Sequence, residues 1–168
     1  MKVLITYYSQ TGNTEKIARA IYEAAEHENR FLAEVEQAAD LDAMDLIFVG
    51  FPIMYHSVPG QAARLIQRIP AGKSVAIFAT HGSRRGGKLA VEGFYHAVSM
   101  AAKLHVLGTF GCQGKVNMHL LDELSQRPEY RGWLEEARGS VNHPDAADLA
   151  DAHEFASAMM GLAHRHKG

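Results

Sequence analysis

Five short strand-like stretches, each followed by a helix-like one, constrain this chain more than any single motif does. Val3-Leu4-Ile5-Thr6-Tyr7-Tyr8, Asp45-Leu46-Ile47-Phe48-Val49-Gly50, Ser74-Val75-Ala76-Ile77-Phe78-Ala79 and Leu104 to Phe110 are nearly continuous apolar runs. Runs of that length fit strands covered on both faces. Phe31-Leu32-Ala33-Glu34-Val35-Glu36 alternates weakly and reads as a less buried strand. Between the runs, Ile17, Ile21 and Ala24 or Ala25 share one face of a helix. Val58, Ala62, Leu65, Ile66 and Ile69 form the face of a second, with Ser57 placed to cap it and Pro59 near its start. Ala90, Phe94, Ala97, Val98 and Ala101 form a third stripe. His143-Pro144-Asp145 opens a last helix with Leu149, Ala152, Phe155, Met159 and Leu162 inward. This alternation predicts an α/β architecture, an open five-stranded parallel sheet with helices on both faces.

The 168 residues suit one domain spanning 1–168, and a chain 47% hydrophobic and 21% charged has ordinary globular composition. Leu46 to Tyr55, the longest apolar stretch, is too short to cross a bilayer, and Met1-Lys2-Val3 enters a strand without a signal pattern. A cytoplasmic protein without a membrane partner is expected. A net charge of −2 argues against nucleic acid as a partner. The single cysteine, Cys112, excludes an internal disulfide and reads as a small core residue. Ten histidines occur, but none falls in a convincing ligand spacing, so no metal is expected, and His164-Arg165-His166-Lys167 reads as a solvated tail.

In open parallel sheets, ligands bind beyond the carboxyl ends of the strands. Three turns at that edge carry chemistry. Ser9-Gln10-Thr11-Gly12-Asn13-Thr14 joins the first strand to the first helix, where unpaired backbone N–H groups and the helix dipole favour an anion. Ser9, Thr11 and Thr14 offer hydroxyls, Asn13 an amide, and Gly12 a close backbone approach or a positive φ. Neither G-x-x-x-x-G-K-[ST] nor G-x-G-x-x-G fits, since the turn has one glycine and no lysine. A mononucleotide with one terminal phosphate, held by neutral dipoles, suits it better than a triphosphate or pyrophosphate. An ordinary Ser/Thr/Asn helix cap is the structural alternative.

Phe51-Pro52-Ile53-Met54-Tyr55-His56-Ser57 is bulky and apolar where a loop would be polar, and a planar heteroaromatic ring could lie on Tyr55 or Met54. Thr80-His81-Gly82-Ser83-Arg84-Arg85-Gly86-Gly87 offers backbone amides, hydroxyls and two guanidinium groups for the edge of such a ring. Docking onto a helix or subunit, and a solvated surface connection, are the respective alternatives.

On the Ser9 to Thr14 turn, on Asp45 to Gly50 running into Pro52, and on the loop after Ala79, the chain resembles the flavodoxins and the wider flavodoxin-like FMN proteins. The resemblance covers roughly 1–111 and the final helix. It implies strand order 2-1-3-4-5 and non-covalent FMN. Its phosphate would be held at Ser9, Gln10, Thr11, Gly12, Asn13 and Thr14, with the ring between Pro52, Ile53, Met54, Tyr55 and His56 on one side and Thr80, His81, Gly82, Ser83, Arg84 and Gly86 on the other. The flavin then carries the redox chemistry, and no catalytic acid, base or nucleophile is nominated.

The sequence departs from the electron-carrier pattern. No tryptophan occurs in the loop after the third strand and no glycine lies between Phe51 and Gly60; glycine eases positive φ when a peptide there flips, so Tyr55-His56 are not expected to make that movement readily, and one-electron specialisation is weakened. Arg84 and Arg85 replace the usual acidic surround; solvent exposure is their simplest reading, and a grip on an anionic substrate or on a pyridine nucleotide's phosphate is the other. His56 and His81 could couple flavin chemistry to pH. An insertion at about 112–142, with short helices around 118–126 and 128–138, is expected to pack near the last strand, cover the flavin edge or meet a partner. The leading expectation is an electron-transfer protein working between a reductase and an acceptor, as monomer or homodimer. The alternatives are an NAD(P)H-dependent FMN oxidoreductase of the quinone reductase type and an FMN-binding module of a larger complex.

Overall fold

The burial of three of the four apolar runs sets the architecture in the computed structural model, which describes residues 1–167; the fourth, Leu104 to Phe110, forms an edge strand that is mostly half-buried or exposed rather than covered on both faces. Five parallel strands, β1 (Lys2–Tyr7), β2 (Asn29–Glu34), β3 (Leu46–Pro52), β4 (Ser74–His81) and β5 (His105–Gln113), pair in the order β2-β1-β3-β4-β5. Six helices connect or follow them: α1 (Asn13–Ala24), α2 (Gly60–Arg68), α3 (Lys88–Met100), α4 (Met118–Ser125), α5 (Arg131–Arg138) and α6 (Ala146–Lys167). This is the predicted sheet in the predicted order. Among the described residues no helix is long and apolar enough to cross a membrane.

Alternate residues of the central strands feed two cores. Val3 and Ile5 of β1, Phe48 of β3 and Phe78 of β4 pack with Ile17 and Ile21 of α1 and with Ala152, Ala156 and Met160 of α6. Leu4, Ile47, Val49, Ile77 and Ala79 face the other way, onto Ala62, Leu65 and Ile66 of α2 and Ala97 of α3. Each large side chain fully enclosed in these layers contributes roughly 1.5–3 kcal/mol. β2, at the edge, mixes exposed and half-buried residues, as its weak alternation predicts. A third, smaller cluster of Leu121, Leu134 and Ala137, with Trp133 and Val116 against it, lies within the segment between β5 and α6.

Four local expectations need correction. β2 begins and ends two residues early, because Val35 already leaves the strand to bury itself with Leu4 and Leu41, its N–H donating to the Tyr7 carbonyl at 3.0 Å. Ser57 does not cap α2: Pro59 takes that position, and the Ser57 hydroxyl bonds His96 Nδ1 at 2.8 Å. Val98 lies on the solvent side of α3. The histidine-rich end is the last turns of α6, where His164 bonds Glu28 at 2.6 Å and the His166 ring lies edge-on to His105 at 4.5 Å.

Close packing across the sheet turns on Gly50. A β-carbon there would fall 2.0 Å from Phe78 Cζ, inside the ring that fills the space above β3. Gly50→Ala should therefore destabilise the protein by about 1–3 kcal/mol and lower its melting temperature by several degrees. Thermal unfolding followed by circular dichroism checks this. Cys112 is fully enclosed between β5 and α6, and burial pushes its thiol well above the ordinary range, with Asp148 adding to the effect. It should resist thiol reagents in the native protein and react after denaturation.

Candidate functional site

At the carboxyl edge, β1 and β3 are adjacent but send their chains to opposite faces of the sheet, β1 to α1 and β3 to α2. In open parallel sheets a crevice is expected where two such loops diverge. Tyr8 N–H still donates to the Gly50 carbonyl at 2.9 Å, and only then does the chain turn.

Within the turn, Gly12 sits at φ 83° with nothing within 4 Å of where a β-carbon would be, so this left-handed position is open and suited to glycine. Its N–H donates to Ser9 Oγ at 3.1 Å, and its carbonyl accepts the first helical bond, from Lys16 N–H. No side chain caps α1. The hydroxyl-rich sequence is thus not spent on the cap that its composition alone would allow, and the first-turn amides face outward. Asn13 is spent differently: its amide nitrogen donates to Thr11 Oγ1 at 3.1 Å and to the Lys115 carbonyl at 3.0 Å. Ser9 and Thr11 act as acceptors in these bonds and keep their protons for an outside acceptor. Thr14 is buried and bonds Thr80 Oγ1 at 2.8 Å, tying the turn to the end of β4. Gln10 is exposed.

The loop after β3 leaves Pro52 with Ile53 N–H donating to the Thr80 carbonyl at 2.8 Å. The Ile53 side chain packs into the space above Gly93 of α3. Met54 and Ser57 exchange backbone hydrogen bonds of 3.1 and 2.9 Å around a two-residue turn. Tyr55 and His56, at its centre, have φ of 48° and 63°. The lack of a glycine does not keep this turn from positive φ. Left-handed non-glycine residues cost on the order of 1 kcal/mol or more each. Bonds from α3 hold them there: His56 Nδ1 lies 2.7 Å from Glu92 Oε2, beside the Ser57 bond to His96. The His56 hydrogen bond, helped by Lys88, keeps the Glu92 carboxyl below its usual range. Tyr55 is left 90% exposed, presenting its ring outward.

The loop after β4 is the most internally bonded. His81 is buried, and its Nδ1 pairs with the Ser83 carbonyl at 2.8 Å, which makes Nδ1 the protonated nitrogen. Nε2 is enclosed and has no partner among the described residues. Burial depresses the His81 pKa, and the Arg85 charge works the same way against opposition from the Ser83 bond, Asp148 and Glu136. The ring is therefore neutral, with an acceptor lone pair unused. Ser83 is buried, Gly86 sits at φ 78°, and Arg84 N–H donates to Glu136 Oε2 at 3.0 Å. The two arginines part company. Arg85 pairs with Asp151 at 2.6 Å and Asp148 at 3.6 Å and lies over the Phe110 ring, committed to α6. Arg84 is exposed, and among the described residues its guanidinium has no carboxylate partner.

Residues the sequence gave no reason to nominate complete this edge. Gln113 Nε2 donates to the carbonyls of Gly82 at 3.1 Å and Glu136 at 3.0 Å, while Trp133 and Val116 occupy the space a side chain at Gly82 would need. Lys115 is fixed on both sides, its N–H donating to the His143 carbonyl at 2.8 Å and its carbonyl accepting from Asn13. Thr11, Asn13, Lys115, Val116 and Asn117 line a cavity of about 340 Å³. These contacts join positions about a hundred residues apart, and no local spacing announces them. His143, Asp145 and Asp148 cluster as well, but their bonds serve the start of α6: Asp145 Oδ1 accepts from Ala147 and Asp148 N–H, and Asp148 Oδ2 from Asp145 N–H and His143.

A parallel sheet in this order, with three loops gathered at its switch point, defines a flavodoxin-like α/β protein. Residues 4–157 match the family described as flavodoxin domain, and the chain belongs to that family. It is 30% identical over 171 residues to the flavodoxin-like domain-containing protein BilS of Clostridioides difficile (strain CD3), covering 95% of this chain and 97% of that protein. Similar solved folds include oxidised Flavodoxin 2 from Bacillus cereus, with TM-score 0.65, 19% identity and coverage of 96% and 99% of the two chains. A flavoprotein in complex with FMN from Lactobacillus acidophilus NCFM aligns with TM-score 0.55 and 20% identity over 74% of this chain and 98% of that one.

The neutral His81 leads to a pH test. The unfolded chain protonates this histidine near pH 6.5 while the folded chain resists, so stability is lost as pH falls below about 6.5 toward the depressed native value. His81→Gln should flatten part of that decline, measured as urea midpoints across mildly acidic pH. An unchanged pH slope would show that His81 does not titrate this way.

Proposed function

We propose that the protein binds FMN non-covalently at the carboxyl edge of its sheet and transfers electrons between a reductase and an acceptor. The observation that carries this reading is the uncapped N-terminus of α1, opened by left-handed Gly12 at the switch point between β1 and β3. Flavodoxin-type sheets of this strand order hold FMN there.

The residues present fit the group. The first amides of α1, with the free protons of Ser9 and Thr11, would hold the phosphate, and Asn13 and Thr14 would keep the turn in shape through Lys115 and Thr80. Met54 and the exposed Tyr55 would lie against one side of the ring, and the backbone from His81 to Gly86 would meet its polar edge. Bound FMN supplies the one- and two-electron redox chemistry. The chain would orient it, shield it and place a neutral imidazole and an uncompensated guanidinium in the loop that meets it. The 114–142 segment, bonded to both the phosphate turn and the loop after β4, would limit solvent access from that side.

A second reading, an oxidoreductase taking hydride from NAD(P)H, is favoured by one observation: Arg84 is available for a second phosphate while Arg85 is not. An anaerobic titration separates them. Adding FMN should quench the emission of Trp133, the only tryptophan, to a one-to-one end point, and failure to reconstitute would remove the FMN reading. With FMN bound, NADPH alone should leave the oxidised flavin spectrum unchanged and dithionite should reduce it in separate one-electron stages. Reduction by NADPH with steady turnover on a quinone would replace the carrier with the oxidoreductase.

A further inference from the structure

We infer that Lys115 supplies the counter-charge to the cofactor's phosphate, so that this phosphate site, neutral in its local sequence, is completed by a lysine from the far end of the chain. The inference rests on the FMN reading above and concerns how that phosphate is recognised.

A phosphate monoester carries about −1.5 to −2 charges at pH 7, whereas the N-terminus of a helix offers only about +0.5. Glu15, in the first turn of α1, adds a negative charge whose partner is Arg19 at 2.7 Å. Ser9 to Thr14 contains no basic residue, so local groups leave the phosphate under-compensated. Arg84, unpaired among the described residues, lies in the loop after β4, which the FMN reading puts at the ring, and the other cations on this edge are taken or directed away. Arg85 is paired with Asp151, and Lys16 lines the groove between α1 and α6 with Arg19 and His153.

Lys115 differs on each count. Lys115 lines the same cavity as Thr11 and Asn13, beside the start of α1. Among the described residues its ammonium has no carboxylate partner. Its backbone is held at both N–H and C=O, and a β-carbon at the preceding Gly114 would strike Asn13 at 2.9 Å, so the segment is pressed against the phosphate turn. The amide that joins the two, Asn13 to the Lys115 carbonyl, uses up the donor a phosphate would otherwise take from Asn13. The geometry therefore spends a neutral amide donor on holding the backbone of a lysine beside the turn.

The test measures dissociation constants of FMN and of riboflavin, which lacks the phosphate, at low and high salt, for the wild type, Lys115→Ala and Lys115→Arg. Lys115→Ala should weaken FMN about tenfold at low salt, the effect of losing one charge-assisted contact at a partly exposed site. It should leave riboflavin within about twofold, because an exposed side chain far from the ring matters little to it. Its FMN affinity should also depend less on salt, and Lys115→Arg should retain most of the wild-type value. Unchanged FMN affinity in Lys115→Ala would overturn the inference and leave the FMN reading standing. Equal weakening of FMN and riboflavin would also overturn it, assigning Lys115 to the shape of the segment. A wild type that binds no FMN would overturn both.

Discussion

The pairing of β1 with β3, each buried on both faces, is the constraint on which the site depends. Val3 and Ile5 must be covered by α1 and α6, and Leu4, with Ile47 and Val49 of β3, by α2 and α3. Helices are therefore needed on opposite sides of two adjacent strands, and the loops leading to them have to diverge at the carboxyl edge. The crevice is a consequence of covering both faces. Once it exists, α1 begins at its floor, and Gly12 lets the chain enter that helix without spending a side chain on its cap.

What lines the crevice is held mostly by bonds between elements. Thr14 and Thr80 share a buried hydroxyl contact that fixes the turn after β1 relative to β4. Glu92 and His96 brace a turn with two left-handed residues, and Glu136 and Gln113 brace the loop after β4. Each loop owes its shape to a neighbour on a helix or on the segment after β5. The strain at Tyr55 and His56 is offset by packing and hydrogen bonding elsewhere.

The division between what the sequence shows and what it hides follows from range. Burial of continuous apolar runs is a local signal, so β1, β3 and β4 could be read directly, and the change from strand to helix periodicity around Gly12 located the turn between β1 and α1. Long-range contacts left no such trace. Ser57 has the composition of a cap, but α3 offers its hydroxyl a histidine, and the helix starts after Pro59 instead. Tyr55-His56 lacks glycine, yet the paired Met54–Ser57 backbone imposes positive φ. Lys115 meets the turn after β1 across 102 positions, through one amide bond. The histidines near the C-terminus look like a solvated tail until Glu28 and His105 are brought beside them by α6.

The central claim is that the end of β1 and the start of α1 form the anchor for a flavin mononucleotide whose ring lies between the loops after β3 and β4. A crystal structure of the FMN complex tests it most directly. The account predicts the phosphate within hydrogen-bond distance of the first-turn amides of α1 and the Ser9 and Thr11 hydroxyls, with Lys115 reaching it and the ring beside Tyr55. A phosphate bound away from Gly12, or a ring outside the crevice between these two loops, would contradict it.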